Sequence, residues 1–210
     1  MATRKRPRRR TQFPPGGGEL SPPLVRLWRL NYYAGRLLTP EDLTREQQYH
    51  LDSRRRLNQL LHGVGVLGGL ELAVTGGGGQ QVQVRPGVAL DCLGREIVAV
   101  DVLEAPIPAG KVLYASVHYL ERLVDGVPRP GEHGTVGDTQ ASRIEEDAEL
   151  VLELEDPLAA HPRHRGSCGA CGLDHALPIG RLRFSGGRWR VDRTYRPPRI
   201  GHPRATASRG

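Results

Sequence analysis

At Gly63 and Gly65 the spacing of apolar residues changes from helical to alternating, and this break splits the chain into one long helix followed by short strands. Upstream of it, Thr39-Pro40-Glu41-Asp42 predicts a helix start. Threonine caps, proline sits at the first helical position where its missing N–H is not needed, and the acids face the positive end of the helix dipole. The helix is expected over 39–62, spanning roughly 35 Å, until the glycines end it. Leu43, His50 or Leu51, Leu57 and Leu60/Leu61 recur about every seven residues as one narrow apolar stripe, with Arg54, Arg55 and Arg56 turned largely to solvent. The first expectation is that this stripe rests on the chain's own sheet; the alternative is a neighbouring subunit. Asn58 and His62, one turn apart, are placed to share a hydrogen bond at the helix end.

Beyond the break, residues 69–74, 81–85, 88–91 and 96–100 alternate and read as a β-meander, with Gly76 to Gly79, Pro86-Gly87 and Leu93-Gly94 as its turns. Further strands are expected over 112–120 and 149–154, followed by a hairpin of 179–184 and 188–191 around Ser185-Gly186-Gly187. With 27 Gly, 17 Pro and 38% hydrophobic residues, the chain favours many short elements around a modest core. The expected fold is α+β, mainly β: an antiparallel β-sandwich or open barrel preceded by one long N-terminal helix. The expected organisation is a flexible basic arm over 1–23, a single β-rich domain over 24–200, and a flexible tail over 201–210. Within the domain, 24–38 is an anchor segment, 69–157 holds the meander and strands, 158–178 is a Cys/His loop, and 179–192 is the closing hairpin. Leu24, Val25, Leu27, Trp28, Leu30, Tyr32 and Tyr33 make the anchor apolar, and Trp28, Tyr32, Tyr33 and Leu43 are the candidate partner-binding residues.

The formal net charge of +7 is concentrated at one end. Arg4, Lys5, Arg6, Arg8, Arg9 and Arg10 carry six positive charges, so the body is nearly neutral. Such an arm either solubilises or contacts a polyanion. No recognition-helix or zinc-finger spacing accompanies it, so sequence-specific nucleic-acid binding is not expected. There is neither an 18-residue apolar run nor an apolar segment after the basic start, which predicts no membrane span, no secretory signal and synthesis in the cytoplasm.

Asn31 to Leu43, Glu46-Gln47-Gln48-Tyr49-His50, Arg55-Arg56-Leu57-Asn58, Leu61-His62-Gly63-Val64-Gly65-Val66, Gly69-Leu70 and Val84 to Ile97 together resemble a little-characterised bacterial family that accompanies contractile phage-tail-like particles. Ser142-Arg143-Ile144 and Val191-Asp192-Arg193-Thr194-Tyr195-Arg196-Pro197 extend the likeness over 24–200. It implies a structural part of such a particle, a baseplate or tail-fibre adaptor, assembled in multiple copies with baseplate, spike, tube or fibre proteins. It implies no catalytic residues. The alternative function is a polyanion- or nucleic-acid-binding accessory protein acting through the basic arm.

The residues themselves also predict no enzyme, since neither His50 nor His62 has a Ser, Cys or carboxylate at a spacing that would make it a general base. Asp91, Gly94 and Arg95 suit a polar turn, with Arg95 pairing to Asp91 as a surface ion pair. Glu145, Glu146 and Asp147 read as a solvated turn, residues 131–140 as a long polar loop, and Cys92 as a buried or turn residue without a role. Metal chemistry is concentrated in one segment. His161, His164, Cys168, Cys171 and His175 fall within 15 residues, and Cys-x2-Cys lets two thiolates reach one ion. The candidate cofactor is one structural zinc ion on Cys168, Cys171, His175 and one of His161 or His164. A reduced, metal-free loop and a Cys168–Cys171 disulfide are the alternatives.

Overall fold

The computed structural model describes residues 26–76, 80–130, 136–157 and 175–201; the basic arm, the C-terminal tail and the segment bearing His161, His164, Cys168 and Cys171 lie outside them. Helix α1 (Pro40–Leu61) begins with a reciprocal cap, in which the Asp42 amide donates to the Thr39 hydroxyl and the Thr39 amide to the Asp42 carboxylate. It ends where the amides of His62 and Gly63 both donate to the Asn58 carbonyl, Gly63 taking a left-handed φ of 74°. The expected Asn58–His62 cap is therefore made by backbone, and the Asn58 side chain is used elsewhere.

Ten strands follow among the described residues: β1 (Gly65–Gly69), β2 (Leu72–Thr75), β3 (Gln81–Val84), β4 (Gly87–Leu90), β5 (Glu96–Ala99), β6 (Leu103–Pro106), β7 (Val112–Pro130), β8 (Val136–Glu153), β9 (Leu177–Ser185) and β10 (Arg188–Val191). Their pairings are antiparallel, in sheets ordered β1-β4-β5, β2-β3-β6 and β10-β9-β7-β8. The fold is α+β and mainly β, as expected, but the first six strands are not a meander. They alternate between two sheets.

The cause lies at one corner. Gly69 and Leu70 both have positive φ, 66° and 57°, which turns the chain out of β1 before β2 begins. The expected strand over 69–74 is thus broken after Gly69. A Cβ on Gly69 would lie 2.2 Å from the Pro86 carbonyl oxygen, and one on Gly87 would lie 2.5 Å from that of Gly68, so two backbones cross here in direct contact. Leu70, Val82, Val84, Ile97, Leu113, Val117, Leu177 and Leu182 point from all three sheets into one buried core.

The closing motif pins the C-terminal segment onto this core. Asp192 accepts from the Thr194 amide and hydroxyl through Oδ1 and from Arg181 and Arg183 through Oδ2. The chain then runs parallel to β1, where the Val66 amide donates to Pro198 and the Ile200 amide donates back to Val66. The hydrogen bonds from Thr194, then the charge of Arg181, hold the Asp192 carboxyl well below the usual carboxylate range. Because its folded pKa is depressed, Asp192 contributes stability that is fully present above the ordinary aspartate value near pH 4 and is lost as the pH falls through the folded value. Asp192→Asn is expected to lower the melting temperature at pH 7 and to flatten the loss of stability below about pH 4. An acid limb as steep as that of the parent protein would refute this role.

The hairpin of β7 and β8 departs most from expectation. It stays paired from Tyr114↔Glu153 out to Pro130↔Val136, so 19 residues in β7 extend roughly 60 Å. Its base carries core residues Leu113, Ala115 and Val117, whereas Leu123, Val127 and Ile144 further out are exposed. Residues 136–140 of the expected polar loop belong to β8, and so do Glu145, Glu146 and Asp147 of the expected turn.

Candidate partner interface

Helix α1 is attached to the domain by polar side chains. The β4–β5 turn, residues 91–95, offers carbonyl groups to it: Asn58 Nδ2 donates to the Gly94 oxygen at 3.0 Å and Gln59 Nε2 to the Cys92 oxygen at 2.9 Å. Asn58 also reaches the Glu96 carboxylate, which pairs with Arg54 at 3.4 Å. Gly94 has φ +75°, and a Cβ there would overlap the Arg55 carbonyl oxygen at 2.2 Å, so helix and turn meet backbone to backbone.

The turn is itself braced from below. Asp91, fully buried, accepts from the amides of Leu93 and Arg95 at 2.9 Å and pairs with the Arg95 side chain. This is a buried pair, which corrects the surface pair expected from sequence. Arg95 also stacks over Tyr119 at 4.8 Å, and the Tyr119 hydroxyl donates to Glu121 at 2.7 Å. Burial first, then the Glu121 hydrogen bond, push the Tyr119 hydroxyl pKa well up.

Because Leu51, Arg55, Asn58 and Gln59 face the domain, the stripe of Leu43, Leu57 and Leu61 lies roughly a third of a turn around the axis and points outward. No residue of α1 is buried, and Leu43, Leu57, Leu60 and Leu61 are all exposed. The expectation that the stripe lies on the chain's own sheet is thereby corrected: carboxamide-to-carbonyl bonds hold the helix instead.

The anchor segment presents a similar surface. It is tied to the start of α1 by Arg36, which donates to the Asn31 carbonyl at 2.9 Å and pairs with Asp42 at 3.1 Å, and by the Leu30 amide to Glu46. Trp28 is nonetheless 75% exposed, and Tyr32, Tyr33, Leu37 and Leu38 are exposed with it. Between α1 and the β7–β8 hairpin runs an open cleft of about 840 Å³, lined among others by Gln48, Leu51, Arg55, Glu121, Ile144 and Glu146. The four candidate partner-binding residues, Trp28, Tyr32, Tyr33 and Leu43, are all exposed. The outer hairpin, which sequence reasoning did not include, adds Leu123 and Ile144, directly opposite each other across the two strands.

Of the candidate metal ligands, only His175 lies among the described residues. It stands just before β9 with φ +51°, and its Nδ1 is 2.9 Å from Cys92 Sγ. Cys92, expected as a buried or turn residue with no role, is buried in the β4–β5 turn. The polyanion candidates Arg4, Lys5, Arg6, Arg8, Arg9 and Arg10 lie outside the described residues.

No family model matches the sequence, and neither does any curated protein. The fold does have solved counterparts. A chain of the type VI secretion system TssK-TssF-TssG baseplate subcomplex superposes with a TM-score of 0.51 at 12% identity, covering 82% of this chain and 62% of its own. A chain of the type VI secretion baseplate complex gives 0.48 at 13% identity, covering 83% and 60%. TssK from the EAEC type VI system, in complex with a nanobody, gives 0.45 at 10% identity, covering 73% and 54%. This chain thus spans about three fifths of the length of the first two structures it resembles. The first likeness shows a shared fold with a component of a multi-protein baseplate.

Proposed function

We propose that this chain is a structural component of a contractile phage-tail-like particle, a baseplate part or fibre adaptor that joins its neighbours through the anchor segment and the outward face of α1. The observation that carries the reading is a helix with no buried residue whose Leu43, Leu57, Leu60 and Leu61, together with Trp28, Tyr32 and Tyr33, remain exposed. A folded domain rarely leaves so many large apolar side chains together in water without a partner for them. Burying each contributes on the order of 1.5–3 kcal/mol before the costs of association are subtracted. The baseplate fold and the sequence resemblance support the same assignment. The second element of the proposal is that residues 161–175 form a structural zinc site, for which the ligand spacing of Cys168, Cys171 and His175 is the support.

The test is assembly. Mass spectrometry of intact particles from the source cells should detect this chain, and deleting its gene should impair their assembly or firing. Particles that lack it and assemble normally without it would overturn the proposal. Leu57→Ser combined with Leu61→Ser should leave the melting temperature within about 2 °C, as surface substitutions do, while incorporation into particles falls at least tenfold. A large fall in melting temperature would assign these leucines to folding. Normal incorporation of that variant, with incorporation lost on deleting residues 1–12, would move the function to the basic arm.

A further inference from the structure

The sheet β10-β9-β7-β8 ends on β8, which has a neighbouring strand on one side only among the described residues. Its inner part contributes Ala148 to the core, whereas Arg143, Ile144 and Glu145 further out are exposed. Pairing between β7 and β9 stops at Val117, so beyond that point the hairpin is a ribbon of two strands. Such a ribbon is marginal in water by itself, and three or more strands sharing an apolar surface are the stable arrangement. Its free edge offers a row of backbone N–H and C=O groups to another strand.

The side chains of β8 specify which strand fits that edge. Arg143, Ile144 and Glu145 run basic, apolar, acidic, and an antiparallel copy of the same strand runs in the reverse order. With Ile144 opposite the second copy's Ile144, Arg143 faces that copy's Glu145 and Glu145 faces its Arg143. The other acids avoid one another in this register. Asp138 stands against Leu150, Glu146 against Ser142, Asp147 against Ala141 and Glu149 against Thr139, while Glu153 lies past the start of the opposing strand. Centring on Glu145 instead sets that residue against itself and Ile144 against Glu146, and centring on Arg143 sets two arginines together, which cross-strand pairs disfavour. Arg143 meets Asp125 of its own hairpin at 3.1 Å, but both side chains are exposed and such a pair holds it weakly.

We propose that two copies of this chain pair edge to edge through β8, antiparallel about a two-fold axis at Ile144. The contact is isologous, so the Arg143–Glu145 pair occurs twice. Leu123 lies opposite Ile144 within each chain, and both are exposed. The pairing therefore aligns Leu123 and Ile144 of one copy with Ile144 and Leu123 of the other in one apolar row across four strands. It joins the four-stranded sheets of the two copies into a single continuous sheet. Neither the anchor segment nor the outward stripe of α1 takes part, so this surface is separate from the docking face assigned to the particle.

The test is the oligomeric state of the full chain by analytical ultracentrifugation, which should show a monomer–dimer equilibrium with dimer dominant by about 100 μM. Glu145→Arg and Arg143→Glu should each weaken the dimer by about tenfold or more, because each sets like charges opposite one another twice. An equal mixture of the two variants should dimerise again, since every arginine of one then faces a glutamate of the other, and misfolded variants would not recover in this way. Under mild oxidation, Ile144→Cys should link the two copies, because opposite residues of paired strands stand about 4.5–5.5 Å apart at Cα, within disulfide reach. Gln140→Cys, whose counterpart is the second copy's Ala148, should not link to itself; mass spectrometry of the linked peptides separates both from the native cysteines. A chain that stays monomeric at that concentration would overturn the proposal. So would a dimer unchanged by both charge variants, or one in which position 140 links as readily as position 144.

Discussion

Gly69→Ala is expected to lower the melting temperature by roughly 5–20 °C, whereas Gly68→Ala, one residue away, should leave it within about 2 °C. The two positions differ in what surrounds them and in backbone conformation. At Gly68 a methyl group enters open space, while at Gly69 it lies 2.2 Å from the Pro86 carbonyl oxygen, on backbone that cannot rotate away. Gly69 also has φ +66°, where any side chain costs roughly 1–2 kcal/mol before contact is considered. Adding an overlap of the size that overpacked cores show, about 1–3 kcal/mol, brings the total to roughly 2–5 kcal/mol. Because Gly69 is paired with Gly87 across β1 and β4, relief by backbone shift would open that end of the ladder. Thermal unfolding of the pair by circular dichroism decides the matter, and equal melting temperatures would show that the corner is not closed.

The second large effect is expected at Asp91. Asp91→Ala leaves the Leu93 and Arg95 amides without an acceptor and the Arg95 guanidinium, 20% exposed, without its partner. Breaking one side of a buried ion pair costs about 3–5 kcal/mol. The β4–β5 turn is also the seat of α1, so the helix should exchange its amide hydrogens faster in this variant. Asp91→Asn, which retains an oxygen for the two amides, should cost less. Adding Arg95→Met to Asp91→Ala should recover part of the loss, because it removes the uncompensated charge. A melting temperature for Asp91→Ala within 2 °C of the parent protein would refute the bracing role.

Local chemistry made some of this architecture legible in the sequence. Thr39-Pro40-Glu41-Asp42 marked the start of α1, and Ser185-Gly186-Gly187 marked the β9–β10 hairpin, because a cap and a tight turn are each specified by a few adjacent residues. The alternation of the first six strands between two sheets was not legible. Pairing β3 with β6 and β4 with β1 is a property of the crossing at Gly69 and Gly87, which the spacing of apolar residues does not encode. The outer hairpin escaped for a related reason. Both of its faces are exposed, so β7 and β8 lack the apolar-in, polar-out sign beyond Leu120, and Glu145-Glu146-Asp147 looks like a turn.

The candidate interface followed the same division. Trp28, Tyr32, Tyr33 and Leu43 were visible as apolar residues, but whether they faced inward depended on how α1 is seated. Asn58 and Gln59 decide that seating, through carbonyl groups more than 30 residues away. Cys92 had no signal of its own, since its meeting with His175 depends on where β9 enters the fold.

The parallel contact between Val66 and Arg199 has a consequence for biosynthesis. It joins backbone about 130 residues apart, and long-range pairing of this kind slows folding because a large loop must close before the contact is formed. Until residues 198–200 have emerged from the ribosome, β1 has its β4 neighbour but not Pro198 to Ile200 on its other side. The partner segment of β1 is therefore made late, and until it docks the open flank of β1 is a strand edge that another nascent copy could capture.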